Sequence, residues 1–315
     1  MNKILISLIC PLLLFAFGDP AMANGYDDAQ AGVAELSNGN NAEAIRLLTR
    51  ALDSGQIKNG DLAAAHFDRG LAWANSGEYD KAIPDYSDAI RLNPQLVGAY
   101  HSRGVAWVKL GEYDKAIRDF NLAIRNDAQD AESFDGRGVA WYYKREHDKA
   151  IADFDVAIRL NLHDAVALFY RGLAEFNLGK YGIAATDFAR KMQLSQDGAS
   201  VILLYLSRVR SGVADSEARL ALAGNAMDHA KWPAPAIALF LGKSSPAAVF
   251  EKAADADTGK QAAQMCEAYF YSGEWSLLGG DKDKSRDFFI RAVRQCPSGN
   301  WAGIAAAAEV GSTEI

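Results

Sequence analysis

The sequence predicts an all-α solenoid built from antiparallel helix pairs. The first observation behind this prediction is a phrase that recurs at a fixed spacing, GEYDKAI at 77–83, GEYDKAI at 111–117 and REHDKAI at 145–151. Both steps are 34 residues long, and self-similarity at a period of this length is typical of repeat architectures. The second observation is that apolar and small residues recur within each period at helical spacing, in two stretches separated by a glycine.

Each period is predicted to be a helix–turn–helix. In the copy at 63–96, the first helix ends at Gly77, because glycine tolerates the left-handed conformation that follows a helix C-terminus. The second helix begins near Tyr79 and stops before Pro94, which cannot donate a hydrogen bond to the helix and disfavours helix in the residue before it. Two such helices with their turns account for a unit of ~34 residues.

Composition argues against a nucleic-acid partner. Half of the 315 residues are hydrophobic, 23% are charged and the formal net charge is −7. Binding to a phosphate backbone needs a stripe of Lys and Arg, and no run of adjacent basic residues in the chain is longer than a pair such as Lys144 and Arg145. We therefore expect no nucleic acid among the partners.

The N-terminus predicts an export signal at 1–23. Lys3 supplies the positive start, residues 4–17 form the apolar run, and AMA at 21–23 is a small-x-small cleavage site. The run is shorter than the roughly 20 residues of a membrane-spanning helix, and Cys10 lies inside it, which excludes this cysteine as a lipidation site. We expect a periplasmic protein, soluble after cleavage near Ala23, that associates with the outer membrane only through partners.

Four successive copies carry the same residues at the same positions. They span 63–96, 97–130, 131–164 and 165–198, after a weaker copy at 25–58 and a short insertion near 57–60. The shared positions are a first-helix glycine (Gly70, Gly104, Gly138, Gly172), a second-helix alanine (Ala82, Ala116, Ala150, Ala184) and the aromatic that follows (Tyr86, Phe120, Phe154, Phe188). This pattern resembles the tetratricopeptide repeat, whose fold is a superhelical solenoid of antiparallel helix pairs.

A recurrent pair of charged residues is predicted to be structural. An arginine precedes each first-helix glycine and an aspartate follows 16 residues later, which gives the pairs Arg69–Asp85, Arg103–Asp119, Arg137–Asp153 and Arg171–Asp187. Residues equidistant from the turn of a helical hairpin lie opposite one another, so we expect a ladder of ion pairs. A cationic cradle for a ligand is the alternative, but the matching carboxylates favour internal neutralisation.

The repeat pattern weakens after 198 and returns near the C-terminus. Residues 199–262 form a degenerate helical segment, in which 199–211 is a helical run without the turn glycine. Residues 263–297 return to the repeat spacing as a helical hairpin, and 298–315 form a C-terminal helix or tail. Cys266 and Cys296 lie symmetrically about the turn of that hairpin, so in an oxidising compartment we predict a disulfide. Two buried free thiols are the alternative.

The second half supports a narrower resemblance. LFLG at 239–242 and EAYFYSG at 267–273, placed after the repeats and a degenerate stretch, resemble the periplasmic lipoprotein NlpI family, and this resemblance covers 27–296. It implies a homodimeric adaptor that docks peptidoglycan hydrolases and presents them to a tail-specific periplasmic protease. Asn24 stands where family members carry a lipidated cysteine, so the resemblance does not carry membrane anchoring over to this chain.

No motif for catalysis or cofactor binding is present. The five histidines form no HExxH, the Gly-Lys pairs at 242 and 259 lack the earlier glycine of a P-loop, and the acidic stretch at 255–259 fails the spacing of a calcium loop. We therefore expect no enzyme activity, no metal site and no cofactor. A hydrolase with an undetected site would need an acid–base pair that the sequence does not show.

With catalysis excluded, the expected function is protein binding in a groove. By analogy with the tetratricopeptide repeat family, first helices line the groove, and its predicted residues are Phe67, Leu71, His101, Val105, Val108, Tyr142, Tyr143, Phe169, Leu173 and Phe176. Because these residues are mostly apolar, an amphipathic helix or an extended hydrophobic segment is the expected ligand. The alternative is that a helix of the same chain, with 246–254 as the candidate, fills the groove.

The sequence thus predicts an exported adaptor that binds proteins and catalyses nothing. Other proteins are its expected partners, with a peptidoglycan hydrolase and a tail-specific protease as the specific candidates. The rival hypothesis is a scaffold for an envelope polysaccharide biogenesis or secretion complex, in which the repeats hold the assembly together.

Overall fold

A computed structural model describes residues 25–195, 197–226, 228, 231–254, 257–297 and 299–312. Across these ranges the chain forms seventeen α-helices and no strand, which confirms the predicted all-α fold. The predicted export signal lies outside the described residues, as do His229 and the start of the acidic stretch at 255–259. None of the helices that the structure describes is long and apolar enough to span a membrane.

The chain divides into two compact units, and the first comprises the described residues up to Leu110 together with 125–128. Its helices are α1 (Gly25–Ser37), α2 (Asn41–Asp53), α3 (Asn59–Asn75), α4 (Tyr79–Leu92) and α5 (Val97–Lys109). Helices α1 and α2 form one hairpin, and α3 and α4 form the next. Each helix of this unit makes its main contacts with the next one or two helices along the chain.

The second unit comprises 111–124 and the described residues from Gln129 onward. Its helices are α6 (Tyr113–Asn126, whose last two residues belong to the first unit), α7 (Ala131–Tyr143), α8 (His147–Leu160), α9 (Ala165–Asn177), α10 (Tyr181–Leu194), α11 (Gly198–Arg210), α12 (Ser216–Asn225), α13 (Ala234–Phe240), α14 (Pro246–Ala254), α15 (Thr258–Leu278), α16 (Lys282–Gln295) and α17 (Trp301–Ser312). Here α7–α8, α9–α10 and α15–α16 form hairpins, and α15 and α17 also contact each other.

The repeat signature has a steric cause. In the α7–α8 hairpin, a Cβ on Gly138 would lie 2.6 Å from the ring of Phe154, a side chain that is fully buried. Glycine therefore allows the aromatic ring to lie directly against the backbone of the first helix. The same close contact joins Gly70 to Tyr86, Gly172 to Phe188 and Gly273 to Phe289.

Each hairpin turns through one residue in the left-handed region of φ. The turn glycines Gly77, Gly111, Gly179 and Gly280 have φ between 74° and 81°. In the third copy of the motif, REHDKAI at 145–151, Arg145 occupies this position. Its φ of 64° is the only positive value for a non-glycine residue among those that the structure describes. A residue with a Cβ is destabilised in this region by about 1–2 kcal/mol, so the turn between α7 and α8 is strained.

The degenerate segment at 199–262 contains a further hairpin, formed by α11 and α12, which the repeat pattern does not predict. Gly212 has a φ of 81° and lies between α11 and α12, so the prediction that this run lacks a turn glycine is wrong. The glycine stands one residue before the position that the 34-residue period assigns, and α12 is only 10 residues long. A one-residue shift and a shortened second helix together obscure the period.

Three of the four predicted Arg–Asp pairs are formed, one in the first unit and two in the second. The guanidinium of Arg69 donates to both carboxylate oxygens of Asp85, at 2.9 and 2.7 Å. The pairs Arg137–Asp153 and Arg171–Asp187 have the same two-point geometry at 2.6–2.8 Å, and all three aspartates are buried. Arg103 belongs to the first unit and Asp119 to the second, so that pair stays a prediction.

Each arginine also donates a hydrogen bond to a side chain of the preceding repeat, a bond that was not predicted from the sequence. Its Nη1 atom donates to a side chain on the second helix before it, from Arg103 to Ser87 at 2.8 Å, from Arg137 to Asn121 at 2.6 Å and from Arg171 to Asp155 at 2.6 Å. These acceptors stand 16 residues before the arginine, whereas the paired aspartate stands 16 residues after it. Arg69 reaches Thr49, 20 residues back, because of the four-residue insertion between the copies.

A disulfide links Cys266 on α15 to Cys296, which directly follows α16, with a Cα–Cα distance of 5.4 Å. The bridge therefore fastens the open end of the α15–α16 hairpin. Helix α17 rests against this end, since a Cβ on its Gly303 would lie 2.8 Å from the Cβ of Cys296. Glycine at 303 is what permits this close approach.

Replacing Arg145 by glycine is expected to stabilise the protein. Relief of the left-handed strain, about 1–2 kcal/mol, exceeds the cost of adding a glycine to the unfolded chain, about 0.4–1 kcal/mol, so the net gain should be up to about 1 kcal/mol. The reverse experiment, Gly111→Ala, should lower stability by about 1–2 kcal/mol. Urea unfolding followed by circular dichroism measures both changes. A midpoint that falls for Arg145→Gly would show that this turn is not strained.

Removing one member of the ion-pair ladder is expected to be costly. Arg171→Ala leaves the carboxylate of Asp187, which is 1% exposed, without its partner, and the loss should be about 3–5 kcal/mol. The matched control is Arg291→Ala, since Arg291 pairs with Asp287 at 3.0 Å but both side chains are more than half exposed. That change should be less than about 1 kcal/mol. Equal shifts of the unfolding midpoint for the two variants would contradict a stabilising ladder.

Candidate functional site

The predicted groove residues fall into two groups with different surroundings. Phe67 and Leu71 on α3, together with His101, Val105 and Val108 on α5, belong to the first unit, and we call these five side chains the first-unit face. All five are half-buried. The remaining predicted groove residues lie on α7 and α9 of the second unit.

In the first-unit face, the apolar side chains of Phe67 and Leu71 pack against the core of the repeat. The ring of Phe67 lies 5.8 Å from that of Tyr86 and contacts the position where Gly98 would carry a Cβ, at 3.4 Å. Leu71 packs beside it on the core formed by Tyr86 and its buried neighbours. Because the helices of this unit mainly contact their neighbours in sequence, no distant helix of the same unit packs over the face.

Charge around the first-unit face is sparse. Asp68 follows Phe67 on α3, and burial raises its pKa to about 6. The Nδ1 atom of His66 lies 3.1 Å from a carboxylate oxygen of Asp85, so this histidine belongs to the ion-pair ladder. A partner would therefore meet apolar side chains rather than a row of cations.

In the second unit the chain itself fills the predicted groove. Tyr142, Leu173 and Phe176 are at most 1% exposed, so the prediction that they contact a partner is wrong. Phe169 is half-buried, and its ring meets that of Trp301 edge-on at 6.0 Å, while Phe176 meets Phe270 at 6.4 Å. These aromatic side chains are core residues of the second unit.

The covering helices are α15 and α17, and not the predicted helix at 246–254. The ring of Trp301 at the start of α17 contacts Phe270 at 5.6 Å, and the Tyr142 hydroxyl donates to the Trp301 carbonyl oxygen at 3.4 Å. Helix α17 is apolar around most of its circumference, which allows it to be covered on several sides. Helix α14 packs instead on α13 and α15 through its buried residues Val249 and Ala253.

Tyr143 belongs to a packed cluster of tyrosines. Its ring stacks on Tyr113 at 5.5 Å, and its hydroxyl is hydrogen-bonded to that of Tyr170 at 2.8 Å. Burial raises the pKa of Tyr143 far above its usual range, so the hydroxyl keeps its proton at any physiological pH. Tyr143 is half-buried, so its contact with a partner stays a prediction, although its ring and hydroxyl already make contacts within the unit.

A buried charge network holds α15 and α17 against α11. Arg210 at the end of α11 donates to Glu309 at 2.6 Å, to Glu274 at 3.2 Å and to the Tyr181 hydroxyl at 2.6 Å. The Glu274 side chain is fully buried, and this burial raises its pKa to about 8, although Arg210 opposes the shift. One guanidinium thus faces two carboxylates, and a proton on Glu274 balances the charge. Sequence periodicity could not reveal this network, because its members lie on four different helices, α10, α11, α15 and α17.

The second unit is expected to become less stable as pH rises toward 8. Glu274 holds its proton more tightly in the folded chain than in the unfolded chain, where the pKa is about 4.3. The favourable contribution is therefore complete below about pH 4 and is lost as pH rises through about 8. Thermal melting between pH 5.5 and 8.5 should show this slope.

The variant Glu274→Gln should flatten the slope and raise the melting temperature at pH 8.5, because a neutral amide needs no proton. Glu251→Gln on α14 is the control, since Glu251 is exposed and should leave the slope of the wild type in place. Parallel slopes for Glu274→Gln and the wild type would contradict the assignment.

Comparison with known proteins agrees with the fold. Residues 29–97, 75–131 and 136–199 match the tetratricopeptide repeat family, and these segments cover more than half of the chain. Comparison with curated protein sequences gives no significant match.

Solved structures of similar fold include a tetratricopeptide repeat protein from Parabacteroides merdae, with 15% identity, a TM-score of 0.57 and coverage of 90% of this chain and 98% of that one. The C-terminal part of a repeat-containing protein from Cytophaga hutchinsonii has 15% identity, a TM-score of 0.53 and coverage of 88% and 98%. The pilF protein of Pseudomonas aeruginosa has 18% identity, a TM-score of 0.54 and coverage of 64% and 93%. At these identities the likeness concerns the fold alone. The family match over most of the repeats is the stronger evidence, and by it this chain belongs to the tetratricopeptide repeat family.

Proposed function

We propose that this protein is an exported adaptor that binds another protein through the first-unit face. The observation that carries the proposal is the contrast between equivalent positions in the two units. Tyr142, Leu173 and Phe176 of the second unit are at most 1% exposed, whereas the five predicted groove residues of the first unit are all half-buried and lie under no distant helix of that unit. An apolar surface that stays partly exposed is a characteristic place for a partner to bind.

The chemistry of the face defines the kind of partner. Phe67, Leu71, Val105 and Val108 offer apolar area, and burial of such side chains contributes roughly 25 cal/mol per Å². The face has no cluster of cations that would hold a terminal carboxylate. An amphipathic helix that lays its apolar side on α3 and α5, or an extended hydrophobic segment, fits this chemistry.

We place this adaptor in the periplasm, in cell-envelope maintenance, where it would bring a peptidoglycan hydrolase to a tail-specific protease. The support is the predicted export signal at 1–23 and the resemblance of 27–296 to the periplasmic NlpI family. A homodimer, which that resemblance implies, is part of the same proposal. The repeats supply the protein-binding scaffold that such a role needs.

Charge introduced into the first-unit face should abolish partner binding without unfolding the protein. Val105→Asp places a carboxylate on the apolar surface, and capture of the partner should fall at least about tenfold because the desolvated charge would have no counterion. Ile183→Asp is the matched control, since Ile183 is 52% exposed on α10 of the second unit. Crosslinking in the periplasm followed by affinity capture measures binding, and circular dichroism confirms the helical content. Undiminished capture by Val105→Asp would move the interface elsewhere.

The proposed link between a peptidoglycan hydrolase and a tail-specific protease can be tested with purified proteins. Added to a purified tail-specific protease and a peptidoglycan hydrolase, the protein should accelerate degradation of the hydrolase, and Val105→Asp should not. An unchanged rate of degradation would contradict the hydrolase–protease link. Capture of polysaccharide-synthesis proteins in the crosslinking experiment would favour the envelope scaffold instead.

A further inference from the structure

The second unit contains a cavity, open to solvent on one side, that is lined by residues of α10, α11 and α12. Its volume is about 180 Å³, and its apolar lining includes Met192, Val201, Leu204 and Leu220. An apolar cavity of about 150 Å³ is large enough to hold a benzene molecule. The space therefore suits an apolar group the size of one aromatic ring or a short branched chain.

The repeat geometry explains why this cavity exists. In the preceding hairpin, Phe188 on the second helix fills the space against Gly172 on the first. One period later these positions are Leu222 and Leu206, and Leu222 is 71% exposed. At these two positions of the period, the α11–α12 hairpin has neither the glycine nor the aromatic, and its turn glycine is shifted by one residue, so the regular packing of the repeat is interrupted here.

Two hydrogen-bond donors on the cavity lining have no acceptor among the residues that the structure describes. They are the guanidinium of Arg208 and the hydroxyl of Tyr205. Both belong to α11, and residues three positions apart share one face of a helix. Burial raises the pKa of Tyr205, so its hydroxyl stays protonated and able to donate.

A second arginine on the lining is already occupied. The guanidinium of Arg219 lies 2.5 Å from a carboxylate oxygen of Asp215, one turn earlier on the same side of α12. Asp215 is hydrogen-bonded to Arg219 and makes no such bond with Arg208. The cavity therefore combines an apolar interior with one guanidinium and one hydroxyl that donate to no described acceptor, while the carboxylates of Asp215 and Glu217 act electrostatically on Arg208 and Tyr205 respectively.

We propose that this cavity binds a small apolar carboxylate. The apolar part would fill the space beside Leu204 and Leu220, and the carboxylate would accept hydrogen bonds from Arg208 and Tyr205. A mostly apolar cavity with a few convergent polar groups is the common form of small-molecule sites, and a guanidinium–carboxylate contact is among the stronger hydrogen bonds in proteins. A free acid and the C-terminal residue of a polypeptide offer the same chemistry.

Titration of the full-length protein with 3-phenylpropionate by isothermal titration calorimetry tests the proposal. We expect saturable binding to one site, with 3-phenylpropanol at least about tenfold weaker because it lacks the charge. Acetate, which lacks the apolar part, should show no binding. N-acetylphenylalanine distinguishes the two sources, since tighter binding than 3-phenylpropionate indicates a polypeptide C-terminus and weaker binding indicates a free acid.

Three variants locate the site. Arg208→Gln should weaken binding of the acid about tenfold and leave binding of the alcohol unchanged. Arg219→Gln is the matched control and should change affinity for the acid by less than about twofold, because its guanidinium is held by Asp215. Ala223→Phe should fill the cavity and abolish binding of both compounds, with an unchanged circular dichroism spectrum as the check on folding.

Several results would overturn the proposal. They are equal affinity for the acid and the alcohol, no measurable binding of the acid to the wild type, and equal effects of Arg208→Gln and Arg219→Gln. Because this cavity shares no residue with the first-unit face, failure here leaves the adaptor function intact, and loss of partner binding in Val105→Asp leaves the cavity proposal intact.

Discussion

The stacking of the repeats depends on one arginine in each repeat, which donates hydrogen bonds to its own repeat and to the repeat before it. Within one unit, Arg171 binds Asp187 of its own repeat and Asp155 of the repeat before it. A guanidinium has enough donors in a fixed planar arrangement to satisfy both neighbours at once, which a lysine has not. The same side chain therefore closes a hairpin and sets its position against the previous hairpin. With that position fixed, the side chains of successive first helices come to share one side, and this shared side is the surface that a partner or the chain itself can cover.

The two units use this shared side in opposite ways. In the second unit, Phe176 and Tyr142 are buried against residues of α15 and α17, and the buried Arg210 donates hydrogen bonds to carboxyl groups on both covering helices. In the first unit the equivalent side chains, such as Phe67, keep part of their area exposed. The same repeat thus provides a core in one half of the chain and a partly exposed apolar face in the other. The difference arises because α15 and α17, the helices that cover the second unit, come after the repeats in the sequence.

Most of the fold could be predicted from the sequence because the same pattern occurs several times. Gly77 and Gly111 predicted the turns, and the step from Arg137 to Asp153 predicted an ion pair, since both follow from the geometry of a single hairpin. Contacts between distant segments could not be predicted in this way. The packing of Trp301 on Phe169 joins residues that no period relates, and for the same reason the burial of Tyr142 and Phe176 by α15 and α17 could not be predicted. The backward bond from Arg137 to Asn121 was within reach, because a polar residue recurs 16 positions before each arginine.

The position of α17 after the repeats has a consequence for the order in which the protein can fold as it emerges from the ribosome or a translocon. The first unit needs only contacts between neighbouring helices, which form quickly and as soon as each helix is available. The second unit closes its core with bonds that span 159 residues, from Tyr142 to Trp301, and 99 residues, from Arg210 to Glu309. Its aromatic side chains therefore stay exposed until the last helix arrives, and this is the interval in which an emerging chain most needs a chaperone.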